Sequence, residues 1–442
     1  MLSEVPMRSL LKFIVVLAVA GVFIALLFRP KDEGGGYDPY FATLNGMLKA
    51  GHAAGPVAIV DLDRVDANLA AIQKHLGPAR RYRIVEKSLP SLELIKYVVA
   101  KSGAHRIMAF HEPYLALLYR ELPADTDFLL GKPMPIDAAR AFYAGVPTAA
   151  RAGAAARVQW LVDTTARLEE YRALAAELGV PLRVNLEIDV GLHRGGAKTI
   201  GELDALFTVI AAHAKELQFS GLMGYDGHIP HVPGFFGPRE GAMRAEARRV
   251  AARYQAFVDY GKQHHPNWFG PGVTLNGAGS RTYELYSADD PLNDLSMGSA
   301  VVKPAHFSDF SLADHAPALF IATPILKRLE GFEVPFLDAV AGLAVHYNPN
   351  WQRTFYVYGG AWSPEILAPT GIAENPLSTP SPNANLLPNQ YMLNGSRAVQ
   401  AGVGDFVFYR PGEGDAIFQF ERILVVRGGK VVDTWRPLPS RL

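Results

Sequence analysis

From Val57 onward the sequence keeps a strict rhythm: short β-rich runs alternate with longer helical patterns. The apolar runs are "VAIV" at 57, "YRIV" at 82, "HRIM" at 105, "DFLL" at 127, "VQWL" at 158, "LRVNLEI" at 182, "FSGLMG" at 219 and "GVTLNG" at 272. Amphipathic stretches such as "DRVDANLAAIQKHL" and "DTTARLEEYRALAAELG" separate them, with Asp63, Ser91 and Asp163 placed as N-caps. Strand alternating with helix requires crossover connections and predicts a parallel sheet. About eight such units over about 250 residues predict an α/β fold of the (β/α)8 TIM-barrel type. An open doubly wound sheet is the rival, but no G-x-G-x-x-G follows an early strand.

The rhythm stops near residue 310. Beyond it, "FYVYGGAW", "FVFYRP", "AIFQFERILVV" and "KVVDTW" are short and rich in Val, Phe, Tyr and Ile, which predicts a smaller C-terminal β domain. Residues 363–389 are crowded with Pro, Asn, Ser and Thr and read as a long loop. At the other end, "FIVVLAVAGVFIALLF" (13–28) carries no charged or polar side chain. With Leu10 and Leu11 it approaches the roughly 20 residues of a membrane-crossing helix. A cleaved secretory signal is the alternative, but "ALLFRPKDEGGG" makes a poor cleavage site. The expected organisation is an N-terminal transmembrane helix and linker (1–34), a barrel (35–312) and a C-terminal β domain (313–442). Flanking charges are nearly balanced, and the expected topology puts the main body outside the cytoplasm.

Lys+Arg and Asp+Glu both number 43, so no net charge or basic run suggests nucleic acid as a partner. The chain has no cysteine, which excludes disulfides, thiolate metal sites and a cysteine nucleophile.

In a (β/α)8 barrel, chemistry gathers just past the C-terminal ends of the strands. Lys87 follows "YRIV"; Asp189, His193 and Arg194 follow "LRVNLEI"; Tyr225 and His228 follow "FSGLMG"; Asn276, Gly277, Gly279 and Ser280 follow "GVTL". A lysine at a strand end is either a surface residue opening a helix or an amine held for attack on a carbonyl. The glycine pair and serine of "LNGAGSRTYE" open a helical turn whose N–H groups suit a phosphate. Such a turn near the seventh or eighth strand is where barrels often hold one. Lysine and phosphate cradle together point to pyridoxal phosphate. "EIDVGLHRGG" is either a plain turn with Arg194 paired to Asp189, or a segment that aims Arg194 at the cofactor's ring nitrogen.

These motifs together resemble the fold-type III pyridoxal-phosphate enzymes. The likeness runs over roughly residues 50–440. It is greatest to the branch with D-threonine aldolase and metal-dependent D-serine dehydratase, with alanine racemase more distant. "VAIVDLDRVDANLAAI" resembles the family's opening strand and helix, and "DLSMGSAVVKP" its last barrel strand. "EKSLPSLELIKY" matches the segment of the Schiff-base lysine, which implies that role for Lys87. "EIDVGLHRGG" implies Arg194 as the ring-facing arginine. "GLMGYDGH" and "NGAGSRTY" imply cofactor contacts from Tyr225, Asn276, Gly277, Gly279 and Ser280.

The resemblance implies a lyase of D-3-hydroxy amino acids, aldolase-like or dehydratase-like, with Lys87 and His228 as catalytic groups. A racemase of the alanine racemase type and a non-catalytic binder of pyridoxal phosphate or an amino acid are the alternatives. The branch carries a His-x-Cys or His-x-Asp metal pair in a C-terminal turn. Here that turn reads "RPGEGDAIF", with Glu413 and Asp415 in the ligand positions. Two carboxylates suit Mg²⁺, Mn²⁺ or Ca²⁺ rather than zinc, or else make a solvated polar turn. The family habit also implies a homodimer.

Overall fold

The structure is a computed structural model and describes residues 15–16, 27–333, 336, 338–359, 362, 364–374 and 389–439. Most of the apolar run 13–28 and most of the Pro- and Asn-rich stretch lie outside them. No helix among the described residues is long and apolar enough to cross a membrane.

The chain divides into two compact units. One comprises residues 58–320 and 410–442, the other residues up to 57 together with 321–409. This division differs from the expected boundaries at both ends. Residues 35–57 group with the later sheet, and 410–442 group with the barrel.

The first unit contains a closed barrel of eight parallel strands. "VAIV", expected as its opening strand, is not in it. That segment forms β1 (Val57–Asp61), which pairs in parallel with Ile423–Arg427. The latter turns back on Lys430–Trp435 as an antiparallel hairpin. The barrel strands are β2 (Arg81–Val85), β3 (Arg106–Ala109), β4 (Asp127–Leu130) and β5 (Val158–Val162). They continue with β6 (Leu182–Glu187), β7 (Leu217–Gly224), β8 (Thr274–Gly277) and β9 (Asp294–Met297). The closing strand β9 is "DLSM", four residues with polar side chains at alternate positions, too short and too polar to stand out by hydrophobicity.

Helix starts lie within two residues of the sequence reading. Ser91 caps Leu92–Ser102, while Asp61 rather than Asp63 caps Leu62–Leu76, and Thr164 rather than Asp163 caps Thr165–Leu178. In each case the side-chain oxygen accepts a backbone N–H that the first turn leaves unpaired. Helix Leu62–Leu76 buries Val65, Leu69, Ile72 and Leu76, a 3–4 spacing that lays one apolar stripe on the core.

The barrel interior is partly ionic. Arg83, fully buried, donates from Nε to Asp294 Oδ1 (2.6 Å) and from a terminal nitrogen to Asp127 Oδ1 (2.8 Å). Arg106 donates to Asp294 Oδ2 (3.0 Å) and Arg183 to Asp127 Oδ2 (2.8 Å). Gln159 links Asp127 to Thr274. Asn276 donates to Asp294 Oδ1 (2.7 Å) and Ser296 Oγ (2.8 Å). Burial opposes the charge on Arg83, yet the two carboxylates hold its pKa above the ordinary value. This network starts inside the barrel and ends, at Asn276 and Ser296, in the wall of a cavity.

The second unit is an antiparallel sheet with the helix Pro39–Ala50, capped by Asp38. Strand Arg353–Tyr358 lies between Leu319–Glu330 and Gln390–Gly395, with Ile325 opposite Val357 and Tyr356 opposite Met392. Phe406–Pro411 pairs with the other edge of Leu319–Glu330, Ile321 opposite Tyr409. "FYVY" and "FVFYRP" are therefore strands as expected, whereas "ILVV" and "KVVDTW" belong with the barrel.

Candidate active site

A cavity of about 440 Å³ opens at the C-terminal ends of the barrel strands. Lys87, Arg194, Tyr225, Asn276, Gly277, Gly279, Ser280, Glu413 and Asp415 all line it. These are all of the site residues expected from the sequence except His228.

Lys87 sits in the short 3-10 turn Glu86–Ser88 that ends β2. Its Nζ lies 4.7 Å from the centroid of the Phe110 ring, within cation–π range. Phe110 is fixed from two sides. Its backbone N–H donates to Glu86 Oε2 (3.0 Å), and its ring lies where a side chain at Gly131 would stand. The strand ends β2, β3 and β4 thus jointly orient the lysine.

Glu86 is 1% exposed. Burial pushes its carboxyl from the ordinary 4.5 up to about 7, against the pull of the Phe110 amide, Lys87 and Lys132. The folded protein binds this proton more tightly than the unfolded chain. Glu86 therefore costs stability as pH rises through the window from about 4.5 to about 7, by about 3 kcal/mol once both states are ionised. Glu86→Gln, which can still accept from the Phe110 amide, is expected to flatten that decline. Urea unfolding of both proteins at pH 5 and pH 8 checks it: the variant gains on the parent only at the higher pH.

Arg194 leans over the Tyr225 ring, its guanidinium carbon 4.8 Å from the centroid, with a terminal nitrogen 3.8 Å from Glu187 Oε1. Asp189 does not pair with it. That carboxylate organises the turn, accepting from the Gly191 and His193 amides (2.9 and 3.1 Å) and facing His193 Nδ1 at 2.7 Å. Burial raises the pKa of Asp189, but these partners pull it below the usual carboxylate range. Arg194 is thereby left to face the cavity.

Ser280 and the end of β9 meet across the cavity wall. Ser280 Oγ accepts from the Gly298 and Ala300 amides (3.2 and 3.0 Å), which leaves its hydroxyl hydrogen free for a ligand oxygen. Gly277, Ala278, Gly279, Gly298 and Ser299 complete a small-residue wall where backbone can approach a phosphate closely. An amine, an arginine and a glycine-rich hydroxyl-bearing wall around one cavity fit pyridoxal phosphate.

His228 stands elsewhere. Its Nε2 is 3.4 Å from Glu246 Oε1, its Nδ1 is buried with no hydrogen-bond partner among the described residues, and its ring faces Gly191. The turn after β7 carries its side chain towards the long helix Arg239–His264, not into the barrel mouth, so it has no access to a ligand in the cavity.

Glu413 and Asp415 come from the turn after residue 410. Gly414 between them lies directly on the Ser88 carbonyl oxygen, and any Cβ there would collide with it. The close backbone approach sets both acids beside the Lys87–Ser88 segment. Glu413 Oε1 is 3.3 Å from His306 Nδ1. Among the described residues one trio has metal-ligand spacing, His75, Glu284 and Asp314, with ligand atoms within 4.8 Å of one another. It lies outside the cavity, and His75 already pairs with both carboxylates at 3.3 and 3.0 Å. Glu413 and Asp415 belong to no such trio. Sequence reasoning missed Phe110, Phe307 and Phe418, which also line the cavity. An aromatic residue in a loop gives no signal of what it will face.

Residues 60–300 match the family model for the alanine racemase N-terminal domain. No match was found among curated proteins. Solved structures share the fold at low identity. D-threonine aldolase from Filomicrobium marinum is 18% identical, with 87% of this chain and 95% of that chain covered and a TM-score of 0.63. D-threo-3-hydroxyaspartate dehydratase from Delftia sp. HT23 is 16% identical, with coverage of 87% and 97% and a TM-score of 0.60. Alanine racemase from Bacillus anthracis is 14% identical, with coverage of 86% and 97% and a TM-score of 0.58. With the barrel, the lysine at the end of β2 and the glycine-rich turn in place, this chain belongs to the alanine racemase N-terminal domain family and is a fold-type III pyridoxal-phosphate enzyme.

Proposed function

We propose that the protein is a lyase of D-3-hydroxy amino acids, of the D-threonine aldolase or D-serine dehydratase kind. The observation that carries this reading is the pair of carboxylates, Glu413 and Asp415, set against the Lys87 segment by Gly414. Lys87, Arg194, Ser280 and the glycine turn would hold pyridoxal phosphate, which supplies an aldehyde and an electron-accepting ring next to the substrate's α-carbon. In the aldolase version a carboxylate of the turn accepts the 3-hydroxyl proton while the Cα–Cβ bond breaks; an aldehyde leaves, and Lys87 returns a proton to the α-carbon to give glycine. In the dehydratase version Lys87 takes the α-proton, and the acid of the turn delivers a proton to the departing hydroxide. Arg194, a permanent cation lining the cavity, would keep the ring nitrogen of a cofactor held beside it unprotonated. Phe110, Phe307 and Phe418 exclude water from the mouth.

A racemase needs a second base facing Lys87. Tyr225 lines the cavity, but burial and the neighbouring Asp226 push its pKa up, which makes it a poor proton acceptor at neutral pH. A divalent ion on Glu413 and Asp415 is compatible with the lyase reading and would polarise the hydroxyl. We also propose a homodimer, from the family resemblance, and a single-pass membrane anchor over residues 13–28 with the body outside the cytoplasm, from the apolar length of that run.

The test incubates the cofactor-loaded protein with D-threonine, D-serine and D-alanine, with and without Mn²⁺. Glycine plus acetaldehyde, or pyruvate plus ammonia, is the expected outcome. Glu413→Gln and Asp415→Asn together are expected to lower turnover by about 10²–10³-fold with the cofactor's absorbance intact. Interconversion of D- and L-alanine, with no carbon–carbon or carbon–oxygen cleavage, would sink the lyase reading.

A further inference from the structure

The barrel closes where β2 pairs with β9, Arg81 opposite Asp294 and Ile84 opposite Met297. The closing strand is short, and its other edge meets β8 through two residue pairs, Asn276 with Asp294 and Gly277 with Leu295. Three side chains from the segments around this seam come together outside the cavity. His75 lies in the last turn of the helix Leu62–Leu76 that leads into β2. Glu284 lies in the 3-10 turn Tyr283–Leu285 between β8 and β9, and Asp314 follows the turn Phe310–Leu312 beyond β9. His75 Nε2 is 3.3 Å from Glu284 Oε1 and 3.0 Å from Asp314 Oδ2, and the three ligand atoms lie within 4.8 Å of one another.

The spacing suits a metal. An ion bonded to nitrogen and oxygen at about 2.0–2.2 Å sets neighbouring ligand atoms about 3–3.5 Å apart. Both distances from His75 Nε2 fall in that range. The charges suit one too. Among the described residues no lysine or arginine stands within ion-pair distance of Glu284 or Asp314, whose charged partners are His75 and His315. Burial pushes the pKa of His315 down despite Asp314 beside it, so that imidazole meets the carboxylate as a neutral donor. Two negative charges then face one imidazole, and an ion in place of its Nε2 proton supplies the missing positive charge. The carboxylates are held from behind. His315 Nδ1 is 2.8 Å from Asp314 Oδ1, which leaves Oδ2 to face His75. Tyr283 Oη lies 3.2 Å from both His315 Nε2 and Glu284 Oε1. Both supporting side chains are buried, as the outer partners of metal ligands usually are, while Asp314 forms an exposed edge open to an entering ion and its waters. An imidazole at the centre favours Zn²⁺ over Mg²⁺ and Ca²⁺, which take oxygen ligands.

We infer that His75, Glu284 and Asp314 bind a divalent transition-metal ion, Zn²⁺ before Mn²⁺, which clamps the seam between the first and last strands of the barrel. The role is structural: the trio shares no residue with the cavity and is separate from Glu413 and Asp415. It stands whether or not the protein is a lyase.

The test uses the full-length, cofactor-loaded protein, freed of metal with a chelator and carrying Glu413→Gln and Asp415→Asn, so that the other carboxylate pair takes no ion. Calorimetric titration with Zn²⁺ is expected to show one site per chain. Zn²⁺ at about 100 times its Kd is expected to raise Tm by about 3–8 °C. Mg²⁺ at the same concentration should do neither. Asp314→Asn and His75→Gln, each added to that background, are expected to weaken Zn²⁺ binding by about 10²-fold or more and to remove the rise in Tm. His315→Gln, which alters only the support of Asp314, is expected to cost about 10-fold. Asp314 is exposed, so its substitution carries the test if the His75 variant does not fold. Zn²⁺ bound as tightly by Asp314→Asn as without it, a Tm that Zn²⁺ leaves unmoved, or Mg²⁺ bound as tightly as Zn²⁺ overturns the inference. Each readout is binding or melting, so absence of lyase activity bears on the proposed reaction and not on this site.

Discussion

Arg83→Leu is expected to destabilise the barrel by about 3–5 kcal/mol, enough to leave much of a marginally stable chain unfolded. Arg83 is fully buried and bridges Asp294 and Asp127 at 2.6 and 2.8 Å. Its removal leaves Asp294, itself without exposed surface, with the partly exposed Arg106 as its one remaining ion-pair partner among the described residues. The cost is the desolvation of a carboxylate that no longer has its partner, and it exceeds what the pair itself contributes. Arg83→Lys should fall between, because a single ammonium cannot span two carboxylates as a planar fork does. Urea unfolding gives the answer. A loss below about 1 kcal/mol would mean that the acids take up protons at little cost and that the network is not a determinant of the fold. The consequence reaches the site: Asp294 Oδ1 also holds Asn276, so folded variants should bind cofactor more weakly.

Lys87→Ala is expected to abolish the covalent attachment of pyridoxal phosphate and to lower turnover by about 10⁴-fold, since it removes both the amine that forms the bond and the principal proton carrier. The fold should survive, because the side chain lies on a cavity wall and is exposed. Borohydride reduction followed by peptide mass measurement is the direct check: the parent should carry the reduced cofactor on Lys87, and the variant nowhere. Label on Lys132 or Lys303, or undiminished turnover in the variant, would overturn the assignment. Lys87→Arg keeps a positive charge near Phe110 without a usable amine, so it separates the loss of charge from the loss of chemistry.

Much of this site could be read before any coordinates. Position just past a strand end is a topological property, and in a parallel barrel topology sends every strand end to one mouth. Lys87, Arg194, Tyr225, the Asn276–Ser280 turn and the Glu413–Asp415 turn therefore meet in one cavity although they are far apart in the chain. His228 failed the same rule. Four residues beyond β7 the chain has already turned, and its side chain faces Glu246 on the helix outside. Strand membership failed at the opening of the barrel, and the closing strand was legible from its likeness to the family's last barrel strand rather than from its apolar pattern. β1 has the most convincing apolar run, but it is buried against Ile423–Arg427, whereas the barrel is closed by "DLSM".

The sequence alone determined the fold class, the lysine and the glycine-rich turn, because these depend on periodicity and on short local segments. Tertiary structure alone decided that β1 stands outside the barrel, and it alone built the ionic interior around Arg83. Each of these is a contact between residues distant in the chain. A buried arginine or aspartate has the same local signature as an exposed one, and only the partners that folding delivers determine whether its burial is tolerable.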